Sequence, residues 1–423
     1  MALPSGLPDW LALLETRHPK AIQLGLERVS RVWSALGISF DFPVITVAGT
    51  NGKGSVCAYL EAILTSAGYR VGLYTSPHIL RFNERVRISS QEVDDESLAQ
   101  ALVVVEQVRG DTALTYFEHT TLAAMWLFCR QSLEAVVLEV GLGGRLDAVN
   151  LFDADCAVVT PVDLDHIEYL GPDRESIGFE KAGILRRGRP AICGDRNPPE
   201  SLIKQAEALA VPMLCLGREI EVDRHENDWL CRVVGSVFPA LPQPAMVGAY
   251  QHENAATAIA ALHGLTQQLP VTMAAIRQGV ARARLPGRFQ IVGTEPLRIL
   301  DVAHNPHAAR ALAANLAALP RLGRRLAVLA MLADKDAGAV VDALEAQFDH
   351  WHLAGLSGTR GRTSARLADV LRSKGLSISV HDDVATAWQA ACQEAKATDT
   401  IAAFGSFHTV AEVMALISGK FDG

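Results

Sequence analysis

The sequence predicts an α/β protein with a largely parallel sheet, followed by a second, smaller α/β domain. Three observations predict it. Short apolar runs alternate with longer helical patterns along most of the chain, which is the rhythm of βαβ units. The runs are continuous in Val, Ile and Leu rather than alternating with polar residues, as strands covered on both faces read. The rhythm breaks at one Pro- and Gly-rich stretch and then restarts.

In order, the first strands are expected at residues 43–48, 70–74, 135–140, 156–160 and 190–193, with helical stretches at 55–67 and 119–131 between them. Residues 217–244 are Trp- and Val-bearing and end in Pro239, Pro242 and Pro244, so they read as a small β excursion. Helices are expected at 252–268 and around 272–282. Residues 283–297 carry two Pro and two Gly and read as a domain junction. Beyond it, strands at 298–303, 326–332, 351–356, 377–381 and 400–404 alternate with helices. The expected boundaries are therefore 1–287 and 288–423.

Composition excludes several classes. The 423 residues hold 39 Lys plus Arg and 47 Asp plus Glu, a net charge of −8. Nucleic acid as the main partner needs a basic footprint that this chain lacks. Any anionic ligand must be met by a few placed cations rather than by a general field. The seven Cys are scattered and form no CxxC pair, which fits free thiols in a reducing compartment. The longest apolar stretches, such as Leu122–Cys129, fall far short of the ~18 residues of a spanning helix. No membrane span and no signal peptide are expected, and the expected location is cytoplasmic. With no heptads, a monomer is the default.

The strongest local signal is Thr46-Val-Ala-Gly-Thr-Asn-Gly-Lys-Gly-Ser55. It follows an expected strand and opens an expected helix, the context of a phosphate cradle. Gly49, Gly52 and Gly54 let backbone N–H groups converge without a Cβ in the way. Lys53 would neutralise the β and γ phosphates, and the helix N-terminus adds partial positive charge. Ser55 is placed to reach a metal ion or a phosphate oxygen, and Thr50 and Asn51 complete the loop. The strict GxxxxGK[ST] spacing is not met, because position 47 is Val and Gly54 separates Lys53 from Ser55. The plainer reading is a Gly-rich turn with an exposed Lys. The fold class is thus α/β, a P-loop N-terminal domain with a mostly parallel sheet plus a smaller Rossmann-like C-terminal domain.

Other polar residues sit where strands should end. Glu139 closes an apolar run, where a charge is costly unless paired or metal-bound, and where α/β ligand sites lie. Pairing with Arg145 is the plainer alternative. His166, in Asp163-Leu-Asp-His-Ile-Glu168, reads alone as hydrogen-bonded scaffolding. Lys181 could be a solvated Lys beside Glu180. Asn305 and Pro306 read as N-cap and first residue of a helix, which leaves Asp301 and His304 unexplained. Phe82 and Phe117 could stack on a flat heterocycle and Arg81 could pair a carboxylate, although aromatics in such runs usually belong to the core. Asp334-Lys-Asp336 and Ser406 are balanced between turn or cap chemistry and ligand contacts. Arg360 and Arg362 could belong to a solvated turn.

The string GTNGKGS resembles the P-loop variant of the Mur ligase superfamily. The wider set, TVAGTNGKGS, TSPH, RFNER, TYFE, LEVGLGGRLDAVN, DLDHIEYLG, EKAGILRRGRPAI, GRFQ, DVAHNPHAA and FGSFHTV, resembles the folylpolyglutamate synthases and their bifunctional form with dihydrofolate synthase activity. The matches run in order over nearly the whole chain. The resemblance implies ATP-dependent ligation of L-glutamate to 7,8-dihydropteroate or a reduced folate through an acyl phosphate. It implies Mg²⁺ at one or two sites, held by Ser76, Glu139 and His166 beside the loop's own candidate Ser55, and a lysine, here Lys181, that is often carbamylated in the family and could then serve a second ion. It assigns Asn254, Arg288, Asp301 and His304 to the nucleotide, and Arg81, Thr115, Phe117, Asp147 and Ala148 to the pterin-bearing substrate. Lys53, Lys181, Asp301 and His304 are the candidate catalytic residues. Two rivals remain: a Mur-type ligase acting on another carboxylate, which normally carries an additional N-terminal domain, and a P-loop NTPase switch.

Overall fold

The computed structural model describes residues 4–18, 20, 22–358 and 360–419. The chain forms two compact units: the chain to His78 with Phe82–Ala245 and His252–Arg284, and Ile79–Arg81 with Met246–Gln251 and the chain from Leu285 onward.

The first unit is built on β1 (Val44–Ala48), β2 (Val71–Tyr74), β3 (Val86–Ile88), β4 (Gln91–Glu92), β5 (Ala135–Glu139), β6 (Cys156–Val159), β7 (Ala191–Cys193) and β8 (Met213–Cys215). Their order across the sheet is β4-β3-β2-β5-β1-β6-β7-β8. The pairs from β2 to β8 are parallel, and β3 and β4 add an antiparallel edge. β1, β2, β5 and β6 are buried along their whole length, which is why they read as unbroken apolar runs. From β1 the chain passes to β2 on one side, and it later reaches β6 on the other. Such a switch in strand order opens a crevice at the carboxyl ends, the usual ligand position in these sheets.

The expected β excursion is a three-stranded antiparallel sheet of β9 (Ile220–Arg224), β10 (Asp228–Val233) and β11 (Ser236–Pro242). The second unit carries β12 (Gln290–Thr294), β13 (Leu297–Leu300), β14 (Arg325–Leu329), β15 (His350–Leu353), β16 (Ile378–Val380) and β17 (Thr400–Phe404), ordered β12-β13-β17-β14-β15-β16. All neighbours are parallel except β12 and β13.

One expectation needs correction. The junction at 283–297 holds strand β12, hairpinned onto β13. Its Gly293 marks a register shift rather than a break, and an edge strand tolerates such residues where a central one does not. The short strands β3, β4 and β8 are not among the expected ones.

Candidate active site

The phosphate loop leaves β1 at its carboxyl end and enters the helix Lys53–Ser66. Gly49 has φ +144°, and a Cβ there would lie 1.8 Å from Thr160 Oγ1, so the loop passes against the end of β6 with no room for a side chain. Gly52 has φ +95° and sits as the helix N-cap, with Asn254 Oδ1 2.8 Å from where its Cβ would be. Thr50 staples the loop to the segment after β6: its N–H donates to Pro161 O (2.9 Å), its hydroxyl to Asp163 O (2.9 Å), and Asp163 N–H donates back to that hydroxyl (3.1 Å). Lys53 Nζ folds over the loop and donates to Gly49 O (3.1 Å) and Thr50 O (3.3 Å). Asn51 is half-buried in the turn, while Gly54 and Ser55 are buried in the first helical turn. The solvated turn with a loose Lys is not what forms.

Strand β5 brings an acid beside the loop, and Asp147 and the helix Arg174–Ala182 add a second acid and a second lysine within electrostatic reach of Lys53. Glu139 ends β5 beside β1; it is 5 % exposed and accepts from Ser76 N–H at 3.2 Å. Arg145 pairs with Glu180 at 2.7 Å. That contact also leaves Lys181 apart from the partner a solvated Lys would have used. Lys181 is 3 % exposed. Burial first and the positive charge of Lys53 second push its pKa down to about 7, against the opposing pull of Asp165 and Asp147. Asp147 is buried, and burial raises its carboxyl to about 6 although Leu142, Val149 and Gly141 N–H groups hold it. His166 has a left-handed backbone (φ 51°), precedes the short helix Ile167–Leu170, and takes Asp165 Oδ1 on its backbone N–H at 2.9 Å.

The donor set fits a hard divalent cation. Two hydroxyls (Ser55, Ser76) and a buried carboxylate (Glu139) follow β1, β2 and β5, three adjacent strands, and His166 follows β6 on the other side of β1. Oxygen donors suit Mg²⁺ or Mn²⁺, and a single imidazole suits the softer of the two better.

Several predicted substrate residues are engaged in the scaffold. Thr115 is buried and forms a capping box with Glu118, which also pairs with Arg28 at 2.6 Å. The T-x-x-E spacing of TYFE announces that box in the sequence. Phe82 is 5 % exposed and edge-packed on Tyr116 and His78. Ala148 is buried behind Asp147. Phe117 is half-buried, 5.9 Å from the Tyr74 ring, and lies so close over Gly141 that a Cβ there would meet it at 2.7 Å. Arg81 is exposed, in the Ile79–Arg81 stretch that groups with the second unit.

In the second unit Asp301 follows β13 and is half-buried, accepting from Phe289 N–H and Ala303 N–H at 2.8 Å each. Burial raises its pKa, and Arg288 opposes this. His304 Nδ1 donates to Val302 O (2.8 Å). Arg288 and His304 both approach the Phe407 ring, at 5.3 and 6.0 Å. Asn305 caps the helix Pro306–Ala317, as its sequence position predicts. Ser406 caps Phe407–Ile417 by accepting from Thr409 N–H at 2.9 Å, and Asp336 caps Ala337–Leu344. Arg360 pairs with Asp334 (2.9 Å), while Arg362 donates to Ala333 and Lys335 carbonyls; both stitch loops rather than lying free in a turn. Thr160 and Asp165 are site residues the sequence reading missed. Asp165 stood beside His166 in the motif, whereas Thr160 has significance only against Gly49.

A P-loop on a parallel sheet with buried acids near it, followed by a second α/β unit, defines an ATP-dependent ligase of the Mur type. The model of the Mur ligase middle domain matches residues 47–262, and that of the Mur ligase glutamate ligase domain matches residues 287–407. The dihydrofolate synthase/folylpolyglutamate synthase of Escherichia coli is 48% identical over 420 residues, covering 99% of this chain and 97% of that one. The solved E. coli FolC in complex with DHPP and ADP superposes with a TM-score of 0.95 at 48% identity, over 99% of this chain and 100% of that one. The bifunctional enzyme of Yersinia pestis, solved with AMPPNP and Mn ion, gives a TM-score of 0.92 at 45% identity, over 99% and 100%. The chain belongs to the dihydrofolate synthase/folylpolyglutamate synthase family of Mur ligases.

Proposed function

We propose that this chain joins L-glutamate to 7,8-dihydropteroate and to reduced folates, using ATP and an acyl-phosphate intermediate. The observation that carries the reading is a built phosphate loop with Glu139 ending the adjacent strand and buried Asp147 and Lys181 within electrostatic reach of Lys53. The γ-phosphoryl group passes from ATP to the substrate carboxylate, releasing ADP. The glutamate amine then attacks the acyl phosphate, a tetrahedral intermediate forms, and phosphate leaves. Lys53 and the loop N–H groups stabilise the charge on the transferring phosphoryl group. A divalent cation held by Ser55, Ser76, Glu139 and His166 would supply further charge neutralisation there. Phe117 and Asp147 are assigned to the pterin-bearing substrate, with Arg81 for its carboxylate. Arg288, Asp301, His304 and Asn254 are assigned to the nucleotide.

Lys181 is assigned as a carbamate. A buried amine with its pKa near 7 is largely neutral at slightly alkaline pH, so it can attack CO₂, forming an N–C bond and losing one proton. The product turns a cation into an oxyanion able to orient a bridging water or a second ion. Intact mass under native conditions should show one added CO₂; unmodified Lys181 in fully active enzyme removes this assignment. Residues 1–287 would form the ATP- and pteroate-binding part and 288–423 the glutamate-ligase part, in a monomeric, cytoplasmic enzyme.

The test is ADP release with 7,8-dihydropteroate or a reduced folate, with and without L-glutamate. Release that needs both partners supports the ligase. Release needing neither favours an NTPase switch, and inactivity on both pterins with turnover on another carboxylate favours a different Mur-type ligase.

A further inference from the structure

The second sheet has another cluster of ligating side chains, on the edge opposite to the one where Asp301 and Asn305 follow β13. His350 and His352 stand two residues apart at the start of β15, so they share one face of the strand. The helix Val384–Glu394 covers β15 and ends at Glu394. One ligand atom from each of His350, His352 and Glu394 lies within 4.8 Å of the other two.

The cluster is built rather than accidental. His352 is 2 % exposed, yet its Nε2 is buried without a hydrogen bond. That atom lies 3.3 Å from Glu394 Oε2, an ion pair when the ring is protonated. The spacing equals the edge of a tetrahedron with bonds of about 2.0 Å, roughly 3.3 Å, as around Zn²⁺.

Each ligand also has an outer partner on its other atom. His352 Nδ1 meets His381 Nε2 at 3.1 Å, His350 Nδ1 meets Ser377 Oγ at 2.8 Å, and Glu394 Oε1 accepts from Arg324 at 2.7 Å. Such contacts set tautomer and orientation around metal-binding residues. The competing contact is His350 Nε2 with Ser379 Oγ at 2.9 Å, a hydroxyl that rotates aside.

We propose that His350, His352 and Glu394 form a binding site for a divalent transition-metal ion of borderline softness, with water completing the coordination. Two imidazoles and one carboxylate favour Zn²⁺ or Co²⁺ over Mg²⁺. The site is independent of the ligase reading and would tie β15 to the helix that covers it.

The test uses the full-length, chelator-stripped protein in saturating Mg²⁺, which fills sites for hard cations. Calorimetric titration with Zn²⁺ should show one site, and Co²⁺ should give tetrahedral visible absorption at the same stoichiometry. His350→Gln and Glu394→Gln should each weaken Zn²⁺ at least about ten-fold and bleach the Co²⁺ spectrum, with Mg²⁺-supported ligation unchanged. His352→Gln should do the same; should it fail to fold, the other two variants decide. Unchanged affinity and spectrum in the His350→Gln/Glu394→Gln double variant, or competition by Mg²⁺, overturns the proposal.

Discussion

The two units share an architecture but treat charge at strand ends differently. In the first, Glu139, Asp147 and Lys181 are all buried, and helix capping accounts for Asp147 alone. In the second, most polar residues after strands have ordinary employment: Asn305, Asp336, Thr363, Asp383 and Ser406 all cap helices. Burying charge is costly, so where capping does not explain a buried charge, chemistry becomes the economical account. In the second unit Arg288, Asp301 and His304 are only half-buried, and helix capping explains none of them.

The largest expected effect lies in the first unit. Lys53→Ala should abolish ligation, by at least about a thousand-fold in kcat, with the unfolding midpoint little changed because its partners are loop carbonyls. Near-normal turnover in steady-state assays would remove the phosphate-loop argument. Next comes Lys181→Gln, which should cost roughly a hundred-fold in kcat. In the wild type, carbamylation read by native mass should grow as pH rises through about 7, since only the neutral amine reacts. An activity loss in Lys181→Gln that bicarbonate and pH leave untouched in the wild type would mean that the lysine acts as a cation.

Legibility followed the same division. The fully buried strands and the phosphate loop could be read because apolar runs and Gly spacing are local signals. Strand β12 could not, because an edge strand with a bulge looks like punctuation. Glu139 announced itself as a charge inside an apolar run. Thr160 did not, since its role exists only through contact with Gly49 across the loop. TYFE carried a legible message about capping that the resemblance to a substrate motif obscured. The His350 cluster joins two segments more than 40 residues apart in sequence, so the His-x-His pair alone does not announce it.

A smaller effect separates buried titratable groups of the core from those of the site. His119 lies in the first unit's core, and burial pushes its pKa down to about 4 although Nε2–H donates to Leu102 O at 3.1 Å. The unfolded chain takes up this proton near pH 6.5 and the folded one near 4, so stability is full above that window and lost as pH falls through it. The loss from His119 reaches up to about 3 kcal/mol. His252 and His352 are held low in the same way. Denaturant midpoints between pH 7 and pH 4.5 should fall steeply, and His119→Gln should flatten the slope by its share. An unchanged slope would mean that the ring is solvated and the core opens locally.

The smallest effect tests the capping account of the second unit. Ser406 stands where either a cap or a substrate contact was readable, and its hydroxyl accepts from Thr409 N–H and meets Thr409 Oγ1 at 2.7 Å. Ser406→Ala leaves a buried donor unsatisfied and should cost about 1 kcal/mol. Ser406→Asp, another good N-cap, should recover part of that loss. If capping is the whole role, KM for glutamate and for ATP should move less than about two-fold, since the change is confined to a helix end. A rise in either KM at an unchanged unfolding midpoint would reverse the assignment and make Ser406 a binding residue. The division of labour between the two units would then fail at the residue where sequence alone left it most evenly balanced.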